Sequence, residues 1–533
     1  MIFKLTAVVS PIVQRFGRWR LVFLFFLIAY TALLLLYLDY AGIRWDETPH
    51  LLGGLLLSRG QIQEYSQEYL FYPPLFDATT ALYYIILGAR VFSVRLVALT
   101  FGILLVWTVF EYAYRVYGPR NALLSSILLA SMPGFLVLCR VALIETMLMF
   151  FFSTSLFLFF LWTRTKNRTL LILSVVAVGI GVIAKYQALV SSLVMLVSLL
   201  FMWRKRIRQN FGKILLIAII AVAAVLPLLF FVYQQFASKI LGDWLYAIQV
   251  GNEQRASYSG RFPFLVFYLI EMTHTYSHIH PISAPLYILA LLGLGLWLWR
   301  RRAEDKFSLI WFFVVYGVFT LIPNKDWRYV TPVFPILAIS TSDFILFMWD
   351  KVKEGLNANK IRLHRMSIRK LAAAVFVLVI GTSVVYSWGD AHSWVKYEHN
   401  YIAVKETTQY VIENSSLKET TVVLFAENFF SADMVKFYLY LQDSGERELW
   451  SYPENPADAY SPSLNVTWLI ERCEATNVKF LLLYEHNDEN YYDSDWKAYY
   501  VLDRLVISGR FIFEAVFGDY PHRVIIIRFM PNS

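Results

Sequence analysis

Two adjacent carboxylates, Asp46 and Glu47, stand in the stretch Gly42-Ile43-Arg44-Trp45-Asp46-Glu47-Thr48-Pro49-His50, directly after the first long apolar run. Charge one step outside a membrane span is costly to place, so its default reading is functional. The alternative is a solvated loop in which two acids happen to fall. Arg140, Glu145, Lys185, Lys325 and Arg328 also stand at the ends of apolar runs. A carboxylate can take a proton from an acceptor hydroxyl as general base. Cations can hold a phosphate and stabilise it as it leaves. These residue types together suit a reaction between a lipid-borne anion and a nucleophile at a membrane surface. The competing account is snorkelling of long basic side chains at helix ends, with local salt bridges. Glu145 resists that account most, because it follows Ala-Leu-Ile and precedes a wholly apolar run.

The elements that must position these residues are membrane helices. The chain has 533 residues, 58% hydrophobic and 17% aromatic with 16% charged, which excludes an ordinary soluble protein. Runs long enough to cross a bilayer recur from Leu21 to Trp388,. Residues 389–533 carry 22 acidic and 12 basic side chains, a net of −10, which leaves +19 for residues 1–388 out of the total of +9. A polytopic membrane domain, 1–388, joined to an acidic soluble domain, 389–533, is the simplest organisation. The positive charge is parcelled into short loops, as cytoplasmic loops of membrane proteins are, and not gathered on one face, so no nucleic-acid partner is expected. Cys139 and Cys473 show neither disulfide nor zinc spacing,. Lys4, Arg15, Arg18 and Arg20 precede an apolar run of about 20 residues, too long for a signal peptide, so the run is expected to be a retained first span,.

Candidate spans fall at 21–40, 93–114, 121–139, 143–162, 169–185, 187–203, 212–234, 283–299, 307–322, 329–349 and 370–388, about eleven in all. Basic clusters lie at 15–20, 115 with 120, 164–168, 204–208, 300–302 and 351–370. With a cytoplasmic N-terminus, every cluster lands inside only if the chain crosses once between Asp46 and Arg115. Residues 73–88, short and interrupted by Asp77, Thr79 and Thr80, are then an interfacial helix and not a span,. The same parity puts outside the membrane a first loop at 42–92, Arg140 with Glu145, Lys185-Tyr186-Gln187, a second loop at 235–282, the segment 324–329 and the acidic tail. In the tail, β-branched and aromatic stretches at 422–425, 479–484, 511–516 and 523–528 alternate with amphipathic stretches near 401–413, 431–442, 465–475 and 495–507, which predicts a small α/β domain,.

Several motifs occur in a familiar order: Asp46-Glu47 after the first span, Tyr72-Pro73-Pro74-Leu75, Arg95-Leu96, Arg140 to Glu145, Ala184-Lys185-Tyr186, and Lys325-Asp-Trp-Arg328-Tyr329 running on to Pro332 and Pro335. As an ordered set over roughly residues 1–350, they resemble the GT-C superfamily of membrane glycosyltransferases, nearest the protein O-mannosyltransferase and aminoarabinose-transferase type. The resemblance implies transfer of a sugar from a polyprenyl-phosphate carrier to a lipid, glycan or protein acceptor at the extracytoplasmic membrane face, usually with inversion. It implies Asp46 as general base with Glu47 supporting it, and Glu145 as a second acid where the family often has Asp. Lys185, Arg328, Lys325, Arg140 and Tyr329 would contact the donor phosphate, and His50, Tyr72 and Tyr186 would line the cavity. Membrane lipids would surround the aromatic-rich spans. No cofactor is required; a divalent metal is an option only through His274, His278 and His280, whose first pair has i, i+4 spacing,. A transporter using the charges as a pathway, and a GT-C-like scaffold without activity, are the alternative readings.

Overall fold

A computed structural model of the chain describes residues 17–39, 42–70, 72–203, 260–273, 280–358, 381–389, 401–425, 430–443, 447–453, 464–485, 498–520 and 522–531, with isolated positions at 212, 230, 378 and 391. The helices, in chain order, are α1 (Arg18–Leu35), α2 (Thr48–Ser58), α3 (Leu75–Leu87), α4 (Val91–Val116), α5 (Pro119–Ala130), α6 (Pro133–Leu138), α7 (Glu145–Thr165), α8 (Arg168–Ala184), α9 (Val190–Met202), α10 (Ala284–Arg300), α11 (Ala303–Leu321), α12 (Phe334–Ala358), α13 (Val404–Asn414), α14 (Ala432–Asp443), α15 (Val466–Ala475) and α16 (Ala498–Ile507). The strands are β1 (Thr420–Leu424), β2 (Leu449–Tyr452), β3 (Val478–Glu485), β4 (Phe511–Phe517) and β5 (Arg523–Phe529). They form two compact units. One comprises residues 1–38, 70–79 and 95–395; the other comprises 39–69, 80–94 and 396–533.

The first unit is helical, and the protein is a polytopic α-helical membrane protein. Among the described residues, four helical stretches are long and apolar enough to cross a bilayer: Arg18–Leu35, Val91–Val116, Glu145–Thr165 and Trp327–Glu354. That corrects the expectation of about eleven, for identifiable reasons. Pro133 follows a break at Met132 and divides the 121–139 run into α5 and α6,. At 17 residues each, α8 and α10 rise about 26 Å, short of the roughly 30 Å hydrocarbon layer. Helix α11 opens with Glu304, Asp305 and Lys306 in its first turn. The expected span 212–234 and most of 370–388 lie outside the described residues.

Aromatic side chains fill this unit, Trp297, Trp311, Phe135 and Phe152 being fully buried. Small residues let backbones approach: a Cβ on Gly293 of α10 would fall 2.2 Å from the Ser340 carbonyl oxygen of α12,. The turn between α10 and α11 is fixed by Arg300. Its guanidinium donates to Asp305 and to Asp343, which also accepts from the Trp297 indole.

The second unit contains a five-stranded sheet in the order β2-β1-β3-β5-β4, with the first three strands parallel and β5 antiparallel to both neighbours. Alternation sends Val422, Leu424, Leu481, Leu483, Ile525 and Ile527 to one face, where they pack with Leu469 and Cys473 of α15 and Val501 and Leu505 of α16,. Because β2 and β3 flank β1 on opposite sides, right-handed crossovers put α14 on the face opposite α15. Helix α2 belongs to this unit and packs on the later part of α3. A Cβ on Gly54 would fall 2.3 Å from the Thr80 methyl, and Tyr84 donates to the Leu51 carbonyl at 3.4 Å.

Candidate active site

The acid pair occupies a single 3-10 turn, Trp45–Glu47, that leads into α2. Its two members face opposite surroundings: Asp46 is exposed and Glu47 is fully buried. The Glu47 carboxylate accepts the Arg44 amide at 2.9 Å, while its own amide donates to the Arg44 carbonyl at 3.0 Å. Glu47 therefore closes the turn that presents Asp46, much as a capping residue closes a helix start. Pro49 in the first turn of α2 suits a position whose amide has no helical partner,. His50, one position on, is buried. All of these residues belong to the second unit.

In the first unit, Glu145 and Lys185 meet. Glu145 opens α7, where a carboxylate is favoured by the helix dipole,. Lys185 ends α8 in an extended conformation before the 3-10 turn Tyr186–Leu189. Its ammonium donates to Glu145 Oε1 at 2.9 Å, with side-chain exposures of 7% for the lysine and 4% for the glutamate. The Tyr72 ring lies 5.1 Å from the same ammonium, in cation–π range. Glu145 Oε2 is buried and has no hydrogen-bond partner among the described residues. Arg328 acts electrostatically on both members of the pair. It sits at the start of the 3-10 helix Trp327–Val333, where Asp326 caps the Arg328 amide at 2.8 Å and pairs with its guanidinium at 2.7 Å. Tyr329 follows, its hydroxyl accepting from Asn324 at 3.0 Å.

The other two cations are engaged with main chain. Arg140 donates to the carbonyls of Leu34, Leu36 and Tyr37 at the end of α1. Lys325 is buried and donates to the carbonyls of Phe319 and Thr320 in the last turn of α11, with the Phe264 ring 4.3 Å away. Both satisfy the carbonyls that a helix leaves unpaired at its C-terminus. Within the first unit, the structure thus gathers Glu145, Lys185, Tyr72, Arg328 and Tyr329, and gives Arg140 and Lys325 helix-end partners. Asp326, which sequence reasoning did not single out, is the carboxylate that holds Arg328; its signal was its place two residues before that arginine. His274 and His278 lie outside the described residues, and among those described no three His, Cys, Asp or Glu side chains gather as a metal site.

Comparison with known proteins bears on this arrangement. Residues 72–231 match the family model described as dolichyl-phosphate-mannose-protein mannosyltransferase. An uncharacterised protein of Aquifex aeolicus is 26% identical over 275 residues, a match that spans about half of either protein, 51% of this chain and 52% of the relative. Among solved structures, ArnT from Cupriavidus metallidurans in the apo state superposes with a TM-score of 0.63 at 14% identity, covering 95% of this chain and 97% of that one. The same enzyme bound to undecaprenyl phosphate gives 0.60, covering 95% and 98%. The oligosaccharyltransferase AglB from Archaeoglobus fulgidus, in complex with an inhibitory peptide and a dolichol-phosphate, gives 0.54 at 14% identity, covering 86% and 69%. The chain therefore shares the fold of these solved structures, and its residues 72–231 are similar to the mannosyltransferase family model.

Proposed function

We propose that the protein moves a sugar from a polyprenyl-phosphate carrier to an acceptor nucleophile at the extracytoplasmic membrane face, with inversion. The observation that carries this reading is the buried Glu145–Lys185 pair, with Arg328 acting on it and one glutamate oxygen left without a partner among the described residues. A lysine paired with a carboxylate in a buried site is a preorganised counter-charge, worth most where charge develops during reaction,. The solved relatives holding undecaprenyl phosphate and dolichol-phosphate support a polyprenyl phosphate as the group it meets.

In the proposed reaction, Asp46 takes the proton from the acceptor hydroxyl. The freed oxygen forms a bond to the anomeric carbon as the bond from that carbon to the phosphate oxygen breaks. The carrier leaves as a phosphate monoester with one more negative charge than the donor had. Lys185 and Arg328 stabilise that added charge. Each already faces a carboxylate, Glu145 and Asp326, so the four groups sum to zero before the donor binds. Phosphate oxygens would compete with those carboxylates for the same donor hydrogens, which favours the leaving dianion over the donor monoanion. A single displacement of this kind inverts the anomeric centre. Zinc appears in one AglB structure, but no three-ligand group gathers among the described residues here, and no step above uses a metal.

The test is sugar transfer by the purified protein in lipid from a panel of polyprenyl-phosphate sugars, beside Asp46→Asn. Transfer by the wild type, reduced in the folded variant by about 10²–10⁴-fold, is the expected result. Equal transfer by both proteins removes Asp46 as the base.

A further inference from the structure

The acid loop shares its compact unit with the tail domain, and the contacts that join them have a pattern. Asp433, Lys436 and Tyr440 stand at i, i+3 and i+7 on α14, and so share one face of that helix,. Facing them is the segment just after α2. Tyr440 donates its hydroxyl to Glu64 at 2.7 Å, Lys436 pairs with Glu68 at 2.8 Å, and the Tyr69 hydroxyl donates to Asp433 at 3.4 Å. The Lys436 ammonium also lies between two rings, 5.2 Å from the centroid of Tyr69 and 5.2 Å from that of Tyr440,. At the other edge, Arg59 donates to the Tyr440 carbonyl at 2.6 Å. That carbonyl is one of those α14 leaves unpaired at its C-terminal end.

The loop segment is built for this. Residues Tyr65–Tyr69 form a π-helical turn, a wide geometry that recurs at functional sites. Tyr65 and Tyr69 are buried while Glu68 stays half-exposed to reach Lys436. Helix α2 runs without interruption from Thr48 to Ser58, so Arg59 and the Asp46–Glu47 turn are the two ends of one rigid rod. The junction is not sealed. A cavity of about 470 Å³ opens beside it against Ser58, Arg59 and Leu441.

We infer that α14 of the tail domain is a docking helix for the first loop, and that Lys436, clamped between Tyr69, Tyr440 and Glu68, is a positioning residue for Asp46. The tail then serves the chemical step by setting where the base stands. The inference rests on the proposed role of Asp46, and the experiment separates the two.

In the full-length protein in lipid, amide hydrogen exchange over residues 48–58 is followed together with kcat and the KM for the polyprenyl-phosphate sugar. Lys436→Glu puts a carboxylate against Glu68, Glu64 and Asp433. Lys436→Arg keeps the charge and the contact with the rings. The expected result for Lys436→Glu is faster exchange in 48–58 and a kcat lowered on the order of ten- to a hundredfold, with KM for the donor unchanged. Lys436→Arg is expected to restore both readouts. Tyr440→Phe, which deletes only the hydroxyl bound to Glu64, gives the same changes in smaller measure should Lys436→Glu disturb the tail itself. Unchanged exchange in 48–58 overturns the docking role, and faster exchange with unchanged kcat overturns the positioning role. Should Asp46→Asn keep its activity, the reading of Asp46 fails, and the exchange result alone still decides the docking.

Discussion

Lys185–Glu145 and Lys436–Glu68 are lysine–glutamate pairs of nearly equal length in opposite surroundings. Lys185–Glu145 spans 2.9 Å with 7% and 4% of the side chains exposed; Lys436–Glu68 spans 2.8 Å with 23% and 48% exposed. Equal geometry does not mean equal energy. The buried pair has given up its hydration, and its mutual attraction must first offset that loss. The half-exposed pair keeps part of its hydration and contributes little by itself. The first arrangement therefore holds a charge in a fixed place with little screening by salt. The second is one contact among four, and its strength comes from the two tyrosine rings and the neighbouring hydrogen bonds more than from the ion pair. A site that must meet a phosphate calls for the first kind. A junction that holds a loop calls only for the second.

Removing one partner from each pair is the strongest test of that contrast. Lys185→Met leaves Glu145 buried without its counter-charge and is expected to destabilise the fold by about 3–5 kcal/mol. Glu68→Ala at the exposed pair is expected to cost about 0–1 kcal/mol. Thermal unfolding of the purified variants in one detergent gives both values. The double variant Lys185→Met with Glu145→Leu is expected to recover most of the stability, since an apolar pair can replace a buried ion pair, but to recover no donor binding. Loss of stability as small in Lys185→Met as in Glu68→Ala would erase the distinction.

The acid turn offers a smaller effect and divides two neighbours by role. Glu47→Ala removes the carboxylate that accepts the half-buried Arg44 amide, with an expected cost of about 1–2 kcal/mol. A lowered kcat should accompany it as the turn carrying Asp46 loosens. Glu47→Gln keeps an acceptor at the same place and is expected to retain most of the activity, whereas Asp46→Asn is not. A steady-state comparison of the three variants reads this directly. Equal losses in Glu47→Gln and Asp46→Asn would make both carboxylates chemical.

How far these features were legible depends on where their partners lie. The tail strands β1, β3, β4 and β5 follow alternating or β-branched stretches and fall within a few residues of their expected places. β2, only Leu449–Tyr452, has too few residues to show a period. Apolar runs marked the membrane domain, but the number of long spans did not follow. Pro133 cuts the helix inside a run that hydropathy alone joins, and α11 carries three charges in its first turn. Glu145 and Lys185 stood out as charges among apolar residues, yet their pairing depends on how α7 and α8 pack. Arg140 and Lys325 looked like equals of Lys185 because a main-chain carbonyl leaves no mark in a sequence. The same holds for α14, since nothing in residues 432–443 announces that their partners are 64–69.

The smallest expected effect sits at Asp433, where the junction carries a carboxylate that burial pushes above the ordinary aspartate range,. Lys436 and the Tyr69 hydroxyl oppose that shift, and Glu68 adds to it. The sign follows from proton counting. A raised folded-state value means that the native tail binds more protons than the unfolded chain between the ordinary value and the raised one. Stability is then greatest below the ordinary value, declines as pH rises through that window, and carries the full cost above it. Asp433→Asn removes the charge and keeps a group that can accept from Tyr69. The variant is expected to unfold at a slightly higher temperature than the wild type at neutral pH, and the gap should close as pH falls below the ordinary aspartate value. A gap independent of pH would show that packing, and not the charge, sets the cost at Asp433. A lower midpoint at neutral pH would mean that attraction to Lys436 outweighs burial, which would bring the exposed junction closer in character to the buried pair.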